Sequence, residues 1–308
     1  MGKVLLPDIS EKHMDAVITY VDGLDPQWQA QYAATVGMDS FLAKRFRDWG
    51  TLKFLLRGID VNMPFIRRVH LVVSSESQVP SWVDTDQVRI VTHKDIIPAE
   101  HLPVFNSTAI EMYLHRISGL DEEYVYFNDD MFPVMPSVPE DFFVAGHTAM
   151  YYSRCRLALN QYRRHTRNSD RLARKAAGVG EASWYLRPQH ICSPMLRSSC
   201  ERLSSLLHDE IEASVSALRE DRNYNQYLFL DYMYYSGKAA PKRLSNKHIS
   251  LGTYRLGSIC RHILNPRTKF LCINDVQMTD ARFEKYRAAI LEAFLELLPD
   301  RSRFENCV

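Results

Sequence analysis

Apolar residues fall along this chain in two alternating rhythms. Asp15-Ala-Val-Ile-Thr-Tyr-Val21 is an unbroken apolar and β-branched run that stops at Asp22-Gly23, which predicts a buried strand ending in a turn. After Trp49 the rhythm changes, and Leu52, Leu55, Leu56 and Ile59 recur at helical spacing. Strand-like runs return at Arg68-Val-His-Leu-Val-Val73, Val88-Arg-Ile-Val-Thr92 and Glu123-Tyr-Val-Tyr-Phe127. A helix is predicted over residues 107–117, where Ile110, Leu114 and Ile117 share a face. Strands alternating with helices imply the α/β class, a mostly parallel sheet flanked by helices.

The middle of the chain reads differently. Residues 160–177 are rich in Arg and helix formers, and residues 194–207 and 214–235 also read as helical. Together they predict a helical section over residues 155–237, packed on the sheet. Lys269-Phe-Leu-Cys-Ile273 is read as a last strand, followed by a closing helix over residues 280–298 with Phe283, Tyr286, Ile290, Phe294 and Leu297 near one face. No repeat or low-complexity linker divides the 308 residues, so residues 1–308 are taken as a single domain.

Composition adds mostly exclusions. A net charge of +1 removes the basic surplus expected of a nucleic-acid binder. The hydrophobic fraction of 46% and charged fraction of 24% are ordinary for a soluble globular protein. No run reaches the roughly 18 apolar residues of a membrane span. The first residues carry Lys3, Asp8 and Glu11 and no signal-type apolar stretch. The expectation is a cytoplasmic protein, with peripheral docking at the inner membrane compatible with it. None of the six cysteines forms a C-x-x-C pair, so they read as reduced thiols rather than a zinc site.

Candidate chemistry sits where predicted strands end. Val21-Asp22-Gly23, Phe127-Asn128-Asp129-Asp130 and Ile273-Asn274-Asp275 place acidic groups at three strand ends, the side of an open parallel sheet where ligands bind. Converging there, carboxylates and substrate phosphates together would suit Mg²⁺ or Mn²⁺. The same dipeptides also make ordinary turns, and that reading stands beside the functional one. Arg45, Arg47, Arg57, Arg187, Arg197 and Arg222 could hold phosphate or simply face water. His190 lies in Arg187-Pro-Gln-His-Ile-Cys-Ser-Pro194, a fixed loop between prolines, where it could act as base, proton donor or phosphate contact.

Taken together these segments resemble the Stealth family of sugar-phosphate transferases, in blocks that keep their order along nearly the whole chain. Asp15 to Pro26 is similar to the family's opening strand and V-D-G-x-D-P turn. A long second block holds Arg45-Phe-Arg-Asp48, Pro80-Ser-Trp82, His93-Lys-Asp95, Leu102-Pro-Val-Phe-Asn-Ser107, Ile110-Glu111 and Phe127-Asn-Asp-Asp-Met131. The third carries His190, Arg197 and Arg222, and the fourth is Cys272-Ile-Asn-Asp275.

The resemblance implies a nucleotide-sugar-binding fold related to GT-A glycosyltransferases, broadly Rossmann-like. It implies catalytic roles for Asp129, Asp130, His190, Arg222, Asn274 and Asp275, with Asp130 and Asp275 holding the metal. It implies donor or acceptor contacts for Asp22, Gly23, Arg45, Asn106, Ser107, Asn128 and Arg197. The expected reaction moves a hexose-1-phosphate, an N-acetylhexosamine-1-phosphate in the family pattern, from a UDP-sugar to a sugar hydroxyl. UMP leaves, in the service of capsule or exopolysaccharide synthesis. The general base is either His190 or one of Asp129 and Asp130. Two rivals remain open at this stage: a metal-dependent glycosyltransferase that releases UDP, and a non-catalytic nucleotide-sugar-binding domain.

Overall fold

The computed structural model of the chain describes residues 13–37 and 46–306. Its strands in chain order are β1 (Met14–Thr19), β2 (Ile66–Val73), β3 (Val88–Thr92), β4 (Glu123–Asn128), β5 (Met131–Pro133), β6 (Phe143–Val144) and β7 (His147–Met150). They continue with β8 (Tyr152–Cys155), β9 (Tyr185–Pro188), β10 (Ser193–Leu196), β11 (Ala239–Pro241), β12 (Asn246–Ser250) and β13 (Phe270–Asn274). The main sheet runs β10-β4-β1-β2-β3, with β4, β1, β2 and β3 parallel and β10 antiparallel at the edge. β1 lies between β2 and β4, so both of its edges are paired, and because Ala16, Val17 and Ile18 are fully buried both of its faces are covered as well. That burial is why β1 is apolar without alternation.

One polar residue sits inside this sheet. Asp15 is fully buried, and its carboxylate takes the His70 Nε2 contact at 3.0 Å, the Asp121 backbone N–H at 3.1 Å and Arg67 at 3.3 Å. Strands β1 and β2 and the entry to β4 therefore meet at a satisfied charge rather than an orphaned one.

A second, smaller sheet runs β12-β13-β5. It joins the main sheet through the turn Asp129-Asp130 between β4 and β5. Helix Leu52–Asn62, β5 and helix Asp280–Leu297 share one packed region: Phe54 stacks on Phe294 with ring centres 5.4 Å apart, and Phe132 meets Phe294 at 4.6 Å. The C-terminal segment is tied over this region, because buried Arg57 makes a bidentate pair with Glu305 at 2.8 and 2.9 Å.

The middle departs from its expected helical character. Helix Gln161–Ala176 forms as the pattern indicates, capped by the Asn160 side chain on the Arg163 N–H. Residues 193–196, however, are strand β10 rather than helix, and helix begins only at Arg197. An edge strand tolerates Pro194, which would otherwise argue against a sheet. The run 214–235 is likewise broken: one helix ends at Ser214 and the next spans Tyr227–Tyr235. Between them Asn223 bonds the Ser214 carbonyl, the Ser216 hydroxyl and the Glu220 N–H, side-chain bonding that replaces a helix ladder. The interval 155–237 thus also contains β9 and β10. The predicted helix over 107–117 ends at Glu111 and tightens into a 3-10 turn at Leu114–Arg116. The five described cysteines are free thiols. Among the described residues no helix is long and apolar enough to cross a membrane.

Candidate active site

A cleft of about 1210 Å³ opens over the carboxyl ends of β1, β2 and β4. Its floor is made where the two sheets meet. Chain leaving β4 passes through Asn128-Asp129-Asp130 directly into β5, whose Met131 pairs with Cys272 of β13. The Ile273 N–H donates to the Asp130 carbonyl at 2.9 Å, so Asn274 and Asp275 are held beside Asp129 and Asp130 by backbone pairing. Two motifs far apart in sequence become one acidic floor. Asn128 Oδ1 accepts from the Tyr126 hydroxyl at 2.7 Å, and Asp275 Oδ2 accepts from Trp49 Nε1 at 3.1 Å. Arg47, stacked over Phe283 at 4.6 Å, approaches Asp275 at 3.8 Å.

The floor is electrostatically loaded. Desolvation, then the charges of Asp130 and Asp48, push the Asp129 carboxyl up to about 8. Desolvation also lifts Asp130, to about 6, against the opposing hydrogen bonds of Cys272 and Asn274. Both residues are only half-buried, since they face the open cleft. Asp130 Oδ1 is buried with no hydrogen-bond partner, while Oδ2 accepts from the Cys272 thiol at 3.6 Å. Asp129, Asn274 and Asp275 line the cleft beside that orphaned oxygen and, like it, offer oxygen atoms, the ligand type a hard divalent cation takes.

Beside the floor lies His190. Its Nδ1 is 3.2 Å from the Tyr227 hydroxyl, and Tyr162 stands edge-on to its ring at 5.5 Å. Burial, with His248 and Arg219 nearby, lowers its pKa to about 4, so the imidazole is neutral at physiological pH. The ligand atoms of His190, His248 and Cys272 lie within 4.8 Å of one another, a nitrogen-and-sulfur group that cysteine spacing gave no sign of.

Not every residue singled out from sequence reaches the cleft. Arg45 lies outside the described residues. Asn128, Asp129, Asp130, His190, Asn274, Asp275 and Ser107 line it. Asp22 does not: its side chain closes a local turn on the Leu24 N–H at 2.8 Å and borders a separate smaller cavity with Asp48 and Lys53. Gly23 packs against the Phe46 backbone, where a Cβ would collide with the Phe46 carbonyl. Asn106 is fully buried and donates to the Ser216 and Leu218 carbonyls and to Asn223, so it anchors the loop 215–226. Arg197 follows Leu196, which pairs with Glu123 at the amino end of β4. A six-residue strand puts it about 17–20 Å from the carboxyl end. Arg222 is exposed and braces its own loop through Glu220 and the Ala213 carbonyl. From that same loop it is Arg219 that lines the cleft, donating to Ser107 Oγ at 2.6 Å. Sequence reasoning also passed over the roles of Trp49 and Glu111. Glu111 lines the cleft, raised to about 7 by burial while accepting the Gln226 N–H at 2.8 Å.

An α/β fold that gathers polar side chains at the carboxyl ends of parallel strands places them where such sheets bind their ligands. Residues 45–150 match Stealth protein CR2, conserved region 2. The chain is 32% identical to the receptor polysaccharide phosphotransferase WefC of Streptococcus oralis, over 95% of this chain and 99% of that protein. It is 29% identical to the capsular polysaccharide phosphotransferase WcwK of Streptococcus pneumoniae, over 95% and 99% respectively. This chain belongs to the Stealth family of sugar-phosphate transferases. Among solved structures, the galactosyltransferase LgtC aligns with a TM-score of 0.45 at 12% identity, over 90% of this chain and 96% of that one.

Proposed function

We propose that this enzyme transfers an N-acetylhexosamine-1-phosphate from a UDP-sugar to a glycan hydroxyl, releasing UMP, in the synthesis of a capsular or extracellular polysaccharide. The acceptor oxygen forms a bond to the phosphorus next to the donor sugar, and the bond from that phosphorus to UMP breaks. The observation that carries this reading is the pairing of β5 with β13, which gathers Asp129, Asp130, Asn274 and Asp275 on the floor of one cleft. Phosphoryl transfer rests on positioning and on stabilising charge, and such a floor serves both. Asp130 and Asp275, with Asn274, would hold Mg²⁺ or Mn²⁺. Bound there, such a cation would neutralise charge on the donor diphosphate.

The chain's own groups do the rest. Arg219, held toward the cleft by Ser107 and by the loop that Asn106 anchors, is placed to take an oxygen of the transferred phosphate. The proton of the attacking hydroxyl passes to His190, which is neutral at physiological pH, or to a floor carboxylate.

The test supplies UDP-N-acetylhexosamines, a sugar acceptor and Mg²⁺, and resolves UMP from UDP. Acceptor-dependent UMP that disappears in Asp130→Ala is expected. UDP in its place means glycosyl transfer and overturns the proposal.

A further inference from the structure

Oxygen donors crowd the acidic turns, and a different set of donors stands beside them. β12 and β13 run parallel with His248 opposite Cys272, so the two side chains leave neighbouring strands on the same face. His190 approaches from the loop between β9 and β10, its ring centre 5.7 Å from that of His248. The ligand atoms of His190, His248 and Cys272 lie within 4.8 Å of one another. Three separate segments thus present two imidazoles and a thiol to one place.

Hydrogen bonding around His190 decides which nitrogen it offers. Tyr227 has one hydroxyl proton and donates it to the Gln189 carbonyl at 3.4 Å, while it accepts from the Tyr162 hydroxyl at 3.2 Å. The contact of Nδ1 with that same hydroxyl, at 3.2 Å, is then a donation from Nδ1–H, and Nε2 keeps its lone pair. A metal-binding imidazole has this arrangement, with one ring nitrogen fixed by a hydrogen bond and the other free to ligate. His248 is exposed, which gives an ion a path in and lets its ring turn to close the group.

Donor chemistry sorts the cation. Mg²⁺ and Mn²⁺ favour oxygen, whereas imidazole and thiolate select Zn²⁺. Three protein ligands leave the fourth position of a tetrahedral ion to water. Burial and the charge of Asp130 favour the thiol form of Cys272, which donates to Asp130 Oδ2 at 3.6 Å. The cation therefore displaces that proton to solvent as the metal–sulfur bond forms.

We propose that His190, His248 and Cys272 form a site for a thiophilic divalent cation of the Zn²⁺ class, apart from the oxygen donors that suit Mg²⁺. An imidazole whose free nitrogen is on a cation cannot accept a proton, and a thiolate no longer donates to Asp130. Occupation therefore blocks the cleft, a consequence that, unlike the site, rests on the phosphosugar-transfer reading.

The test titrates the reduced full chain with Co²⁺ in excess Mg²⁺, which keeps oxygen donors with the hard ion. Co²⁺ stands in for Zn²⁺ and reports a thiolate ligand through a sulfur-to-metal charge-transfer band in the near ultraviolet. A band that saturates at one equivalent and is bleached by Zn²⁺ is expected. Cys272→Ser should abolish it, and His248→Ala should weaken Co²⁺ binding by about tenfold or more. No band in the folded parent overturns the site. A band that survives Cys272→Ser also overturns it, by assigning the sulfur to another thiol. Cys272 is buried, so if Cys272→Ser fails to fold, exposed His248 decides: undiminished affinity in His248→Ala overturns the site. UMP release in excess Mg²⁺ reads the blockade. Zn²⁺ should stop release from the parent, and His248→Ala should need about tenfold more Zn²⁺. Full release from the zinc-loaded parent overturns the blockade. No UMP even without Zn²⁺ removes the transfer reading and the blockade with it, while the spectra still decide the site.

Discussion

Arg219 and Arg222 lie in one loop and face different surroundings. Arg219 reaches Ser107 across the cleft, whereas Arg222 turns outward to Glu220. A donor aimed at transferring charge contributes far more than a solvated one. Arg219→Ala should therefore lower turnover by about 10²- to 10³-fold, and Arg222→Ala by only about twofold. Steady-state UMP release from the two variants checks this, and equal losses would return the role to Arg222. The sequence pointed to the segment but not to the residue, because order along a chain says nothing of which side of an irregular loop a side chain leaves from. The floor was legible for the opposite reason. Asp129, Asp130, Asn274 and Asp275 directly follow or end strands, and strand ends have a fixed place in an α/β sheet. A buried residue away from the site carries another expectation. Burial pushes the Asp15 carboxyl up, but the hydrogen bond and charge of His70, the Asp121 N–H and Arg67 outweigh it, and the net shift is downward. A depressed folded pKa means the contribution is complete above the unfolded value near about 3.9 and is lost as pH falls through the folded one. Asp15→Asn should cost about 3–5 kcal/mol at pH 7, since it leaves the partners buried and unpaired. Urea unfolding should show the gap to the parent narrowing below about pH 4.

At the scale of elements, the strands rich in apolar residues were readable and those that are polar or contain proline were not. β1 and β4 are buried on both faces and β2 is buried from Val69 onward, so their apolar runs stand out against any neighbour. β5 and β10 each contain a proline and β12 is mostly polar, so none of the three shows an apolar strand run. β10 was also hidden by running straight into the helix that begins at Arg197, and the two read as one helical stretch. Yet the β5–β13 pairing is what builds the floor, so the least legible elements position the most legible residues. Gly23 makes the same point at a turn. Its motif suggested a nucleotide contact, but its lack of a side chain lets the backbone approach Phe46, with the Gly23 N–H on the Phe46 carbonyl at 2.8 Å. That contact seats the segment carrying Arg47, Asp48 and Trp49. Gly23→Ala should cost about 1–3 kcal/mol and displace Arg47 and Trp49 from Asp275. Lowered thermal stability together with a raised metal requirement for UMP release is the expected signature. Unchanged metal dependence would confine the role of Gly23 to stability.

Across the whole molecule, the site is held in tension by the fold around it. The main apolar core runs from Met14 to Phe304 and packs against both the main sheet and the β12-β13-β5 sheet, so the strand pairing that aligns the motifs also holds the floor carboxylates near one another. Asp129 feels the charges of both Asp130 and Asp48, and Asp130 keeps an oxygen without a donor. Carboxyl groups lifted by burial and by a neighbouring charge cost stability in the ligand-free protein once pH exceeds their unfolded value, a cost that functional sites commonly carry. Two opposite effects follow from one substitution. Asp130→Asn removes a charge from the floor and should raise the melting temperature of the metal-free protein. The same substitution removes a ligand, so the stabilisation that Mg²⁺ or Mn²⁺ brings to the parent should vanish. At a hundredfold excess over Kd that stabilisation is about 2.7 kcal/mol, or roughly 5 °C for a domain of this size. Melting curves of parent and variant, each with chelator and with excess metal, give four values. If the floor is a cation site under charge repulsion, the variant melts above the parent in chelator and loses its advantage when metal is added. A variant that melts lower in chelator and still responds to metal would place the cation elsewhere, and the nitrogen-and-sulfur group of His190, His248 and Cys272 would then be the place to look, since its ligand atoms already lie within 4.8 Å of one another.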